Sequence, residues 1–113
     1  MNAPVADDTL TDLNELGRFS DPSLLILASL AGGPKHGYAM MEDIEQMSGT
    51  RLGPGTLYGA LARLERRGLI EPLPAEDRRR PYRITGVGAT VLREQLRSLE
   101  AFAEAGLGRL ATL

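Results

Sequence analysis

A mainly α chain with a small β-hairpin and one long C-terminal helix is the fold this sequence predicts, on three observations. Apolar residues recur at helical spacing in successive stretches bounded by capping residues and glycines. Residues 69–85 break that rhythm with two short apolar arms around a polar tip. The last stretch repeats its leucines at alternating steps of four and three, as a coiled-coil seam does. At 113 residues and 42% hydrophobic, the chain suits one domain with an appended helix.

The elements follow in order. Residues 1–20 form an N-terminal extension in which Asp7, Asp8 and Thr9 can cap a short helix ended by Gly17. Asp21 is a good N-cap and Pro22 suits the first helical position. The SLLILASLA that follows is apolar nearly all round, so it predicts a buried helix stopped by Gly32, Gly33 and Pro34. From Gly37, Met40, Met41, Ile44 and Met47 fall at helical spacing opposite Glu42, Asp43 and Glu45; the methionines read as core filler. Ser48-Gly49 ends that helix.

Residues 51–71, RLGPGTLYGALARLERRGLIE, predict the next helix. Gly53 serves as N-cap, Pro54 as first residue and Gly68 as the terminating glycine. Leu57, Ala60, Leu61 and Leu64 make an apolar stripe; Thr56, Tyr58, Gly59, Ala62, Arg63 and Arg66 lie opposite. In the hairpin, Ile70 and Leu73 form one arm, Tyr82 and Ile84 the other, with residues 75–78 as the tip. Its three prolines restrict it to a small, edge-exposed ribbon. The final helix carries Leu92, Leu96, Leu99, Ala103, Gly106 and Leu110 as a seam flanked by Phe102 and Leu107. A seam of this kind requires a cover, from the domain itself or from a second subunit.

The net charge is −2, but its distribution is uneven. Residues 1–21 carry −4, residues 22–50 carry −2, and residues 51–83, with eight arginines against four acids, carry +4. Local field rather than net charge steers a polyanion. Cysteine is absent, which excludes disulfides, thiol catalysis and cysteine zinc sites. His36 is the single histidine and reads as an ordinary exposed loop residue, so no metal or cofactor is expected. Gly86-Val87-Gly88 has Val91 where a dinucleotide fingerprint needs glycine. No catalytic constellation is present, and an enzyme is not expected. The longest apolar run, residues 24–31, is too short for a bilayer and lacks a basic leader, so the expected location is the cytoplasm with no membrane partner.

Three helices followed by an arginine-rich hairpin is the winged helix-turn-helix layout, in which the third helix enters the major groove and the hairpin approaches phosphates. Three stretches also resemble the PadR-like transcriptional regulators: HGYAMMEDIEQMSG, LGPGTLYGALARLERRGLIE and RRRPYRITGVG. The resemblance runs from about residue 22 to residue 88 and continues weakly along the last helix, as in the smaller subfamily with a single C-terminal dimerisation helix. It implies a sequence-specific, homodimeric, ligand-responsive repressor on a pseudo-palindromic double-stranded DNA operator.

The organisation this implies is an extension at residues 1–20, a winged helix at 21–85 and a dimerisation helix at 86–113. Carried over residue by residue, Tyr38, Thr56 and Tyr58 are implied at the DNA. Arg78, Arg79 and Arg80 are implied at phosphate or minor groove. Lys35, Arg63 and Arg66 complete the expected DNA-binding set. Leu92, Leu96, Leu99, Phe102 and Leu110 are the expected dimer seam, near which some members bind flat hydrophobic effectors. The chain departs from the family pattern in carrying Gly53 for a serine-like cap, Gly59 for proline, acids at the wing tip, and Gly86 for an acid. It also has no tryptophan at the seam. The alternative of a different class is a winged-helix protein-interaction module docking an acidic protein partner, with the acidic first segment able to fold over the basic face.

Overall fold

The structure, a computed structural model, describes residues 21–113. The expected helix within residues 1–20 lies outside them. Four helices and a three-stranded sheet follow one another: α1 (Pro22–Ala31), β1 (Lys35–His36), α2 (Gly37–Ser48), α3 (Pro54–Arg66), β2 (Ile70–Pro72), β3 (Pro81–Ile84) and α4 (Gly86–Leu110).

Local chemistry sets the helix ends. The Asp21 carboxylate accepts from the Ser23 amide at 3.0 Å, and Pro22 opens α1. Gly49, at φ +75°, closes α2, its amide donating to Glu45 O at 2.8 Å. α3 starts at Gly53-Pro54 with no side-chain cap. It ends where Gly68, at φ +73°, lets Leu69 N reach Leu64 O at 3.0 Å.

The core is built from Leu25, Ile26, Leu27 and Leu30 of α1, Met40 and Ile44 of α2, the α3 stripe of Leu57, Ala60, Leu61 and Leu64, and Ile70 of β2. Met47, expected as core filler, is exposed, because α2 turns only its Met40–Ile44 stripe inward. Asp43, expected to face solvent, instead accepts from the buried Ser29 hydroxyl at 2.6 Å, which ties α2 to α1.

The hairpin is larger than the two-stranded ribbon expected from sequence. β3 is central in the order β1-β3-β2, with Lys35 opposite Tyr82 and Ile70 opposite Ile84, both pairs antiparallel. Two residues before α2 supply the third strand. Pro81 is accommodated as the first residue of β3, and Pro72 as the last of edge strand β2. Leu73 lies beyond β2, its amide donating to Pro81 O at 2.8 Å. The tip is centred on Asp77 and Arg78, one residue further along than expected. Their φ values of +45° and +69° and the reciprocal Glu76–Arg79 backbone bonds of 2.7 and 2.8 Å define a tight turn with the twist that antiparallel strands require.

Thr85 joins the two halves of the molecule. Its hydroxyl donates to Gly68 O at 2.7 Å and accepts from Gly88 N at 3.0 Å, capping α4 against the end of α3. Gly88 is buried there, and a β-carbon on it would stand 2.0 Å from Leu69 O. Leu92, one turn on, is only 6% exposed and belongs to the core. Its placement in the dimer seam is therefore corrected: the first turns of α4 are packed onto α1, and the exposed seam begins at Leu96, which is 45% exposed. From there the helix projects into solvent, giving a body of 58 × 29 × 20 Å.

Candidate nucleic-acid interface

α3 presents two unlike faces. Burying Leu57, Ala60, Leu61 and Leu64 forces Thr56, Tyr58, Ala62, Arg63 and Arg66 outward. Among the described residues, the guanidinium groups of Arg63 and Arg66 have no hydrogen-bond or ion-pair partner. Arg63 extends back along the helix toward Gly59, where a β-carbon would sit 3.7 Å from its Nη1. The small residue at 59 leaves that path open.

Tyr58 is 54% exposed, yet its hydroxyl lies against Gly37, the first residue of α2. Tyr38, the next residue of α2, is 62% exposed. The two tyrosines thus lie close to the junction of the helix-turn-helix, where the backbone amides at the start of α2 also gather. Tyr82 of β3 lies within electrostatic reach of Tyr58, Glu65 and Arg80. Partial burial, followed by the Glu65 carboxylate, pushes its phenol above the ordinary tyrosine value, so it remains a neutral donor at physiological pH. This cluster brings the base of the wing beside α3.

The three wing arginines are separated by their bonding. Arg78 occupies the left-handed turn position, a conformation costing about 1–2 kcal/mol for a residue with a β-carbon, and its side chain has no intrachain partner among the described residues. Arg80 donates to Leu73 O at 2.8 Å, tying its guanidinium to the other arm of the wing. Arg79 Nη1 lies 3.3 Å from His36 Nε2. The exposed carboxylates of Glu76 and Asp77 share the tip with them.

Lys35 is the expected DNA contact that the fold turns inward. Its ammonium donates to Ser29 O at 2.6 Å and Gly33 O at 3.2 Å and lies 3.8 Å from Asp43. Its charge is neutralised inside the junction of α1, α2 and β1, where it serves the fold. His36, read as an ordinary loop residue, is corrected to a structural one. It is the N-cap of α2, its Nδ1 accepting from Ala39 N at 3.4 Å, and it is also the neighbour of Arg79. Its place immediately before Gly37 was the available signal for the cap.

Sequence reasoning also passed over three arginines. Arg67, exposed at the end of α3, has no partner among the described residues, and the ERRG run before the terminating glycine marks it. Arg51 pairs with Glu45 at 3.6 Å, and Arg83 forms a cross-strand pair with Glu71. These two pairs remove a share of the positive charge that residues 51–83 carry on paper.

Beyond the head, Leu96, Leu99, Phe102 and Leu110 are exposed along α4. A shallow groove at the base of that surface is lined by Ala31, Ala89, Leu92, Arg93, Leu96 and Arg97, among others. Among the described residues no group of histidines and carboxylates could hold a metal, and no helix is long and apolar enough to cross a membrane.

This architecture is shared by known proteins. The chain is 40% identical over 88 residues to the transcriptional regulator Rv3488 of Mycobacterium tuberculosis, a match covering 75% of this chain and 81% of that one. It is 50% identical over 82 residues to the uncharacterized 37.1 kDa protein in transposon TN4556 of Streptomyces fradiae, covering 73% of this chain but only 24% of that protein's length. Among solved structures, a PadR family transcriptional regulator from Eggerthella lenta superposes with a TM-score of 0.73 at 30% identity, covering 92% of this chain and 93% of that one. A transcriptional regulator from Clostridium thermocellum gives 0.66 at 26% identity, over 90% and 94% of the two chains. The model of the transcriptional regulator PadR-like family matches residues 26–94, from the second turn of α1 through the packed turns of α4. With an exposed polar α3 face beside an arginine-bearing wing, the chain is a winged-helix, DNA-binding member of the PadR-like family of transcriptional regulators.

Proposed function

We propose that the protein acts as a homodimeric repressor that reads a pseudo-palindromic operator and responds to a small hydrophobic effector. The observation that carries the reading is the outward face of α3, where Thr56, Tyr58, Arg63 and Arg66 stand exposed while the opposite face closes the core. Thr56 and Tyr58 contact base edges or backbone in the major groove, Arg63 and Arg66 contact phosphates, and Tyr38 joins them from α2. Arg78, with Arg79 and Arg80 behind it, approaches the neighbouring phosphates or minor groove. Lys35 supports this surface from within.

The exposed stripe of Leu96, Leu99, Phe102 and Leu110 supports a dimer built on α4 of residues 86–113, with residues 21–85 as the reading head. Two heads related by a two-fold axis then address half-sites whose centres lie about 34 Å apart. The groove at Leu92, Leu96 and Arg93 lies at the root of the lever, where an effector can change the angle between heads. The repressor sign follows the family resemblance.

Selection of bound duplexes from a random library at moderate salt tests the reading. An enriched inverted repeat is the expected result, with half-site spacing reporting the distance between heads. A folded dimer that enriches nothing overturns it in favour of a module that docks an acidic protein.

A further inference from the structure

A second groove lies on the side of the head, between the start of α1, the end of α3 and the face of α4 bearing Val91 and Gln95. Half-buried Leu24, Leu69 and Val91 give it an apolar lining, and Arg63 and Arg67 border it. Neither guanidinium has a partner among the described residues. Asp21, the first described residue, also lines the groove. Residues 1–20 carry Asp7, Asp8, Asp12 and Glu15 against Arg18, a net −3, and interleave them with Leu10, Leu13, Leu16 and Phe19. Charge and apolar content both complement the groove, and the segment is joined in sequence to Asp21, one of its lining residues.

We infer that residues 1–20 dock in this groove of their own chain, leucines on the apolar lining and carboxylates on Arg63 and Arg67, as an internal mask. Arg63 belongs to both surfaces: it borders the groove and extends along α3 toward Gly59. A carboxylate held there competes with a phosphate for the same guanidinium. Docking itself is independent of the DNA-binding reading, whereas the masking consequence rests on it.

Because the chain has no cysteine, two introduced thiols report docking cleanly. Full-length protein carrying Asn14→Cys and Gln95→Cys, treated with a short bismaleimide, is expected to give an intrachain link that is suppressed when Arg63→Glu and Arg67→Glu are added. Links formed only between chains overturn the inference in favour of a brace to the second subunit; no link, or one indifferent to the arginines, also overturns it. For the consequence, Asp7, Asp8 and Asp12→Asn in the full chain are expected to tighten binding to the selected duplex about three- to tenfold, the scale of two exposed ion pairs. The control is Glu94, Glu100 and Glu104→Gln, which removes the same number of charges from α4. Equal gains in the two variants overturn masking. If no form binds DNA, masking falls with the DNA-binding reading, and the crosslink alone decides docking.

Discussion

The hydroxyl of Tyr58 on α3 lies so close to Gly37 on α2 that a β-carbon at residue 37 would stand 2.6 Å from it. The contact locks the exposed ring of the third helix to the start of the second. Because the obstructing atom is the far end of a side chain and Gly37 has no positive φ, Gly37→Ala displaces Tyr58 without straining the backbone. The expected outcome is a stability loss below about 1.5 kcal/mol by thermal unfolding. It is accompanied by a loss of DNA affinity similar to that of Tyr58→Ala in an anisotropy titration. Full affinity in Gly37→Ala would remove Tyr58 from the interface.

His36 stands between Ala39 N and Arg79 Nη1, at 3.4 and 3.3 Å. A neutral imidazole has one acceptor nitrogen, and both neighbours are donors, so only one of these bonds is made at a time. His36→Ala is expected to cost about 0.5–1 kcal/mol through the lost cap. Amide exchange in the turn at residues 76–80 should rise as Arg79 loses its neighbour. Unchanged exchange there would show that the wing holds its position without His36.

Lys35 and Arg78 are expected to separate structural charge from interface charge. Lys35→Ala breaks two hydrogen bonds to main-chain carbonyls and should lower stability by about 1–3 kcal/mol while leaving the salt dependence of DNA binding unchanged. Arg78→Ala should do the reverse: little change in stability, and a slope of log K against log salt shallower by about 0.9 per contacted phosphate. Equal slopes for wild type and Arg78→Ala would take the wing tip off the DNA.

Leu92 and Leu99 lie seven residues apart on one helix, yet should fail differently. Leu92→Ala removes a core side chain and is expected to cost about 2–5 kcal/mol of unfolding free energy. Leu99→Asp touches an exposed position, so the head should stay folded by circular dichroism while sedimentation shifts from dimer to monomer. A persistent dimer would move the interface away from this seam.

α3 and its neighbours were legible because their signals are local. Asp21-Pro22, Gly53-Pro54 and Gly68 each satisfy or end a helix within a few residues of themselves, and the stripe from Leu57 to Leu64 needs only the helical period. The candidate interface on α3 followed as the complement of that stripe. The wing was legible as a hairpin, but its third strand was not. Lys35-His36 is too short to carry a strand pattern and exists only because β3 offers it partners in Tyr82 and Pro81, far along the chain.

By itself, then, the sequence determined the helices, the caps at Asp21, Gly53 and Gly68, the outward face of α3 and the family resemblance. The tertiary structure alone decided which charges are available. Lys35 is drawn inward to Ser29 and Gly33, Arg83 is held by Glu71, and Arg79 is set beside a histidine 43 residues earlier. It also split the α4 seam, placing Leu92 in the core and leaving Leu96 onward exposed. The physical reason is the same in each case. Helical period and capping act over one or two turns, whereas the partner of a charged or apolar side chain is fixed by packing between elements that are distant in the chain.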